Sequence, residues 1–206
     1  AHGYYFATKK PAGVVVTTGP GLTNAISGVA SCYYDSVPLA LLIGQVSRSL
    51  NTASDYEVKM VGFQEVPHLK LVEPISDYTL QVNDVDAYIE NRGFLVEQLM
   101  HQRKVVAIEV NDDVQRLATE NVADIKVIGT EPEYKLQPER ISVDLFVVGA
   151  GASDLNDQAI TTINDCGVPV VTSWGAQHLS WKFSSFSGIF GTHTPGIANE
   201  LIKASK

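Results

Sequence analysis

Five continuous apolar, β-branched runs recur along the chain, at 13–18 (GVVVTT), 38–46 (PLALLIGQV), 104–110 (KVVAIEV), 143–148 (VDLFVV) and 168–173 (VPVVTS), each bounded by Gly, Pro or Asp. Runs of this kind suit strands covered on both faces, and such strands belong to parallel sheets. Helix-like segments lie between them. The clearest is 84–102, where Asp84 is placed to cap and Val85, Tyr88, Ile89, Val96 and Leu99 fall on one face. Weaker helical patterns cover 22–34, 154–166 and 194–204, the last two with Asp154 and Thr194 as first-turn caps. Strands alternating with helices imply an α/β fold: parallel sheets flanked by helices, built from βαβ units. The stretch 116–141 is rich in Glu, Pro, Asn and Lys and has few apolar residues in phase, so it reads as a linker. It divides the chain into two incomplete domains, 1–115 and 142–206.

Charge narrows the function. A net charge of −8 with no Lys/Arg cluster removes the electrostatic footprint of nucleic-acid binding. No apolar run is long enough to cross a bilayer, so no membrane partner is expected. Cys32 and Cys166 stand far apart without a ligand at metal spacing, which predicts neither disulfide nor zinc and points to a reduced, cytoplasmic protein. His2, His68, His101, His178 and His193 show no metal spacing either, and read as surface or internally satisfied histidines. The chain opens at Ala1 without Met, and the expectation is a fragment.

The strongest local motif is 13–28, where a buried strand runs into Gly19-Pro20-Gly21 and then into a helix start carrying Thr23 and Asn24. Gly-rich strand-to-helix turns bring backbone N–H groups close to a ligand, but they also serve as plain βα turns; spacing alone leaves both readings open. Gly19-Pro20-Gly21-Leu22-Thr23-Asn24, followed by Tyr34-Asp35-Ser36-Val37-Pro38 and Gly44-Gln45-Val46, resembles the pyrimidine-domain signature of the thiamine-diphosphate-dependent acetolactate synthase and pyruvate oxidase family. Phe63-Gln64-Glu65-Val66, Pro74-Ile75-Ser76 and Asp112-Asp113-Val114-Gln115 continue the match. In the second domain, Val148-Gly149-Ala150-Gly151 and the stretch from Gly188 to Gly196 with Ala198-Asn199 resemble the family's central domain.

The resemblance implies an enzyme that uses thiamine diphosphate and Mg²⁺ to decarboxylate a small 2-oxo acid and form a carbon–carbon bond. It implies cofactor-binding roles for Gly19, Pro20, Gly21, Asn24 and Gln64, and catalytic-pocket roles for Gln64 and Phe63. The family's activating glutamate corresponds to a position before His2, and its GDG motif, which marks the diphosphate and Mg²⁺ site, is absent from the 206 residues. The expectation is therefore part of a homodimeric or homotetrameric enzyme, inactive by itself. Two departures stand out: Asp77 replaces a Lys common in the family, reversing a charge expected near the pocket, and Gln102-Arg103-Lys104-Val105 lacks the family's Gly-Pro turn. The segment from Arg48 to Gly62 is longer than in plain acetolactate synthases and is similar to relatives in surface-polysaccharide pathways.

Gly149-Ala150-Gly151 lacks the third glycine of a nicotinamide fingerprint, since Asp154 stands there. FAD is a further candidate cofactor, with Gly149, Gly151, Gly191 and His193 as the remnant of its site; a loop-forming glycine pair is the plainer reading. Asp112 and Asp113 read as turn and cap residues rather than a catalytic pair. Ser27 and Ser173 lack a nucleophile-elbow context. A non-catalytic assembly or regulatory domain, and a flavin- or nucleotide-binding protein, remain as alternatives.

Overall fold

The computed structural model describes residues 1–53, 55–118, 142–192 and 196–205. The chain forms two compact units, 1–134 and 135–206. Most of the predicted linker, 119–141, lies outside the described residues.

Unit 1 is a four-stranded, all-parallel sheet in the order β1-β2-β4-β3, with β1 at Ala12–Val16, β2 at Leu39–Gln45, β3 at Tyr78–Val82 and β4 at Val105–Asn111. Three helices, α1 (His2–Thr8), α2 (Pro20–Tyr34) and α3 (His68–Val72), cover one face. Because side chains alternate along a strand, Val14 and Val16 join Leu39, Leu41 and Ile43 and the β4 residues Val105 and Ala107 on that face. They meet Tyr5, Leu22, Val29, Cys32 and Val72 there. Burying each large aliphatic is worth about 1.5–3 kcal/mol, and this cluster is the main anchor of the unit. On the other face α4 (Val85–Met100) sets Leu95 against Val82, Val106 and Ile108.

The helix at 84–102 forms as predicted and Asp84 caps it, accepting from the Ala87 N–H at 2.7 Å. Its inner stripe differs from the expectation. Leu95 is its buried residue, whereas Tyr88 and Ile89 are exposed; Asn91 and Arg92, half-buried, occupy the stripe that apolar periodicity alone would give to them. Coverage also differs along the sheet. β4 is buried on both faces, but Val15 on the second face of β1 is 77 % exposed, because α4 shields only the β3–β4 half.

Unit 2 is a three-stranded parallel sheet, β5-β6-β7, formed by Phe146–Val148, Val170–Ser173 and Phe186–Phe190. Helix α6 (Asp157–Asp165) is capped by Asn156, whose side-chain oxygen accepts from the Ala159 N–H at 2.8 Å, and not by Asp154. A 3₁₀ turn over Ala150–Asp154 ends at the position predicted for the cap, and the non-helical backbone of Leu155 delays the helix to Asp157. Between α4 and α6, α5 is the single turn Asp112–Gln115; α7 (Ile197–Ala204) ends the chain, and Thr194 lies outside the described residues.

Candidate functional site

A cavity of about 690 Å³ opens at the carboxyl ends of β1, β2 and β4, where open parallel sheets bind ligands. Its walls are chiefly apolar, with Val15, Leu42, Leu50, Phe63 and Val110, and its polar groups include Thr17, Gln45 and Gln115. No Lys or Arg lines it, and no cluster of three metal-ligating side chains occurs among the described residues. Phe63, one of the lining residues, is 79 % exposed.

The remaining predicted residues form the adjoining turn. Gly19 lies at φ 60°, in the left-handed region, and an added Cβ would meet both Cβ and the carbonyl oxygen of Gln64 at 2.8 Å. Gln64 is itself left-handed at φ 62°, and its C=O accepts from the Thr18 hydroxyl at 2.9 Å. Glycine at 19 is thus required twice, by its backbone angle and by the close approach of another loop. Pro20 opens α2 at the first helical position, which suits its missing N–H and fixed φ. Asn24 lies exposed one turn further along. An added Cβ at Gly21 would meet the Thr17 hydroxyl at 2.6 Å. The structure therefore gathers Gly19, Pro20, Gly21, Phe63 and Gln64 from two distant stretches.

Behind the turn lies a polar cluster of which the motifs contained only Gln45. His68 is fully buried; its Nε2 accepts from the Gly19 N–H at 2.9 Å and its Nδ1 lies 2.8 Å from Glu109 Oε2. The side-chain amide of Gln45 donates to the Val66 carbonyl at 2.9 Å and to Glu109 at 3.3 Å. The clue in the sequence was Glu109 inside the apolar run at 104–110, because a buried charge requires a partner.

Glu65, also buried, holds the long segment before it. Its carboxylate accepts from the backbone N–H groups of Ala53, Val61 and Gly62 at 2.9, 2.7 and 3.1 Å. Burial pushes its pKa up, but the three donors together outweigh that and hold it below the ordinary carboxylate value. Arg48 ties the start of the same segment to Asp113 at 2.7 Å and to the Asn83 carbonyl at 2.9 Å. The backbone and side-chain hydrogen bonds from Arg48 lower the Asp113 pKa. Asp112 pairs with Arg116 at 3.0 Å; Asn111 holds the N-cap position of α5 without a side-chain cap bond, and both aspartates lie in its single turn.

Asp77 is not near the pocket. It sits before β3, at the amino ends of the strands, where it accepts from the Val105 N–H at 2.8 Å and pairs with Lys104 at 3.1 Å. The charge reversal expected beside the cavity is thus at the opposite edge of the sheet. Arg103 takes the turn there at φ 55° in the absence of the Gly-Pro pair.

In unit 2, Gly149 and Gly151 follow β5 and Gly191 follows β7. The N–H and C=O of Gly191 are both engaged by the Asn199 side chain, at 3.2 and 3.0 Å. His193 lies outside the described residues. Cys32 is buried, Cys166 is exposed, and both are free thiols. No described helix is long and apolar enough to cross a membrane.

Comparison with known proteins gives concordant results. Residues 1–71 match the family described as "Thiamine pyrophosphate enzyme, N-terminal TPP binding domain". The chain is 28 % identical over 193 residues to a chloroplastic acetolactate synthase of Arabidopsis thaliana, covering 84 % of this chain and 27 % of that protein. It is 45 % identical over 80 residues to the large subunit of acetolactate synthase isozyme 3 of Escherichia coli strain K12, covering 37 % and 14 %. It is 40 % identical over 84 residues to the acetolactate synthase large subunit of Lactococcus lactis, covering 41 % and 13 %. The chain thus spans under a third of the length of these relatives.

Proposed function

The chain is acetolactate synthase-like and opens with the N-terminal domain of a thiamine-diphosphate enzyme, and from that premise we propose that unit 1 forms the wall on which the cofactor's pyrimidine ring rests. The observation that carries this reading is the state of the glycine turn. The Gly19 N–H is committed to His68, the Gly21 N–H bonds the Thr18 carbonyl at 3.4 Å, and Pro20 has no N–H. A turn so engaged makes a poor phosphate cradle, since such cradles depend on N–H groups aimed outward. Together with an apolar cavity free of lysine and arginine, it suits a flat, uncharged ring. The residues present fit the ring and not the diphosphate or Mg²⁺, which we assign to another part of a homodimer or homotetramer.

When bound, thiamine diphosphate supplies a nucleophilic carbon that takes the acyl unit of a small 2-oxo acid, with loss of CO₂, and passes it to an acceptor. Pro20 and Asn24 contact the ring, Gln64 orients the reacting side, and Phe63 covers the substrate and keeps out water. The length of 48–62, braced by Glu65 and Arg48, favours the surface-polysaccharide subgroup. Isothermal titration of the full-length protein with thiamine diphosphate and Mg²⁺ tests the reading: saturable binding is expected, and its absence overturns the proposal.

A further inference from the structure

His68 connects the glycine turn to the middle of the sheet. Its Nε2 receives the Gly19 N–H at 2.9 Å and therefore must carry the ring's lone pair. The ring proton is then on Nδ1, directed at Glu109 Oε2, 2.8 Å away. Gln45 braces this arrangement. Its Oε1 accepts from the Val46 N–H at 2.9 Å, which turns its NH₂ toward the Val66 carbonyl and Glu109. The opposite tautomer would let Nδ1 accept from the Gln45 amide, 3.0 Å away, but would set two N–H groups against each other at Gly19, 2.9 Å apart, and two acceptors against each other at Glu109, 2.8 Å apart, and these two closer contacts decide. A carboxylate at 109 thus selects the tautomer, as the partner of one imidazole nitrogen commonly does.

We propose that His68 is a positioning residue for the cofactor: with its tautomer fixed by Glu109, it holds Gly19-Pro20-Gly21 in binding shape before the ligand arrives. The proposal rests on the pyrimidine-wall reading above and adds a residue that none of the motifs contains. A preformed turn spares the ordering cost otherwise charged against affinity. The same bond keeps the Gly19 N–H turned inward, so the turn presents Pro20 rather than a donor.

The experiment uses the full-length protein and two kinds of variant. His68→Gln offers a side-chain oxygen close to the place of Nε2, whereas His68→Leu combined with Glu109→Leu removes the acceptor without leaving a buried charge unpaired. In the double variant the Gly19 amide should exchange with solvent about tenfold faster or more, as loss of a buried partner implies. The amides of β2 should remain slow. Affinity for thiamine diphosphate with Mg²⁺ should fall about tenfold and be largely recovered in His68→Gln. An effect on thermal stability alone, with Gly19 exchange and affinity unchanged, overturns the proposal. So does failure of His68→Gln to recover affinity while it restores stability. The ¹⁵N imidazole spectrum of the unaltered protein decides even if the double variant does not fold: a proton on Nε2 refutes the assignment. Should the unaltered protein not bind the cofactor, the pyrimidine-wall reading fails separately, while the spectrum and the exchange rate still judge the role of His68.

Discussion

Gly19→Ala perturbs the centre of the proposed site with one methyl group. The left-handed backbone at φ 60° costs a residue bearing Cβ about 1–2 kcal/mol. The new methyl would also stand 2.8 Å from Gln64 Cβ and its carbonyl oxygen. Neither is the free end of a flexible chain, and the carbonyl is pinned by the Thr18 hydroxyl, so retreat sacrifices a hydrogen bond worth about 0.5–1.5 kcal/mol. Overpacking of this kind adds about 1–3 kcal/mol. The expected loss is about 2–5 kcal/mol, a large share of the roughly 5–15 kcal/mol typical of a domain. Urea unfolding followed by far-UV circular dichroism measures it, and hydrogen exchange on β1–β4 peptides locates it, with β5–β7 peptides as internal control. Gly21→Ala provides the comparison. Its methyl would meet only the Thr17 hydroxyl, which a χ1 rotation can move, and alanine favours the helix that begins there, so a loss of about 1 kcal/mol or less is expected. A loss below about 1 kcal/mol for Gly19→Ala, or equal losses for the two variants, would refute the reasoning.

Glu65→Gln should cost about 1.5–3 kcal/mol at pH 7, because charge-assisted bonds to Ala53, Val61 and Gly62 are weakened. The folded carboxyl binds its proton less readily than the unfolded one, so its stabilisation is complete above the ordinary value of 4.5 and is lost as pH falls through the lowered folded value. Thermal unfolding from pH 7 to pH 3 should accordingly show a shallower acid loss in the variant; parallel curves would contradict the role. Asp84→Ala and Asn156→Ala each remove an N-cap and should each cost about 1 kcal/mol by denaturant unfolding, one in each unit.

Much of the architecture was legible because central strands leave mainly apolar runs, as in Val105–Asn111, interrupted by Glu109, and Leu39–Gln45. β3 and β7 left no such trace. Tyr78–Val82 is an edge strand whose side chains alternate between half-buried and exposed until the buried Val82, and Phe186–Phe190 contains Gly188. Helices α1 and α3 have seven and five residues, too short to display a helical period. The glycine turn and the Phe63-Gln64 pair were legible as motifs, but the contact between them is tertiary. Asp77 shows the converse limit: membership in a motif block does not tell which edge of the sheet a side chain occupies. His68 was legible only as one of five histidines read as surface or internally satisfied, since naming its partners requires the register that sets Gln45 opposite Asn111, two residues beyond Glu109.

The bonds around His68 join residues 49 and 41 positions apart in the chain, and Gln45 lies 64 positions from Glu109. Contacts so distant in sequence are non-local and need β1, β2 and β4 side by side in parallel. Local helix formation at α2 supplies none of them. The shape of the glycine turn therefore depends on the assembled sheet, because Gln64 and His68 stand beside Gly19 only once β1, β2 and β4 are paired.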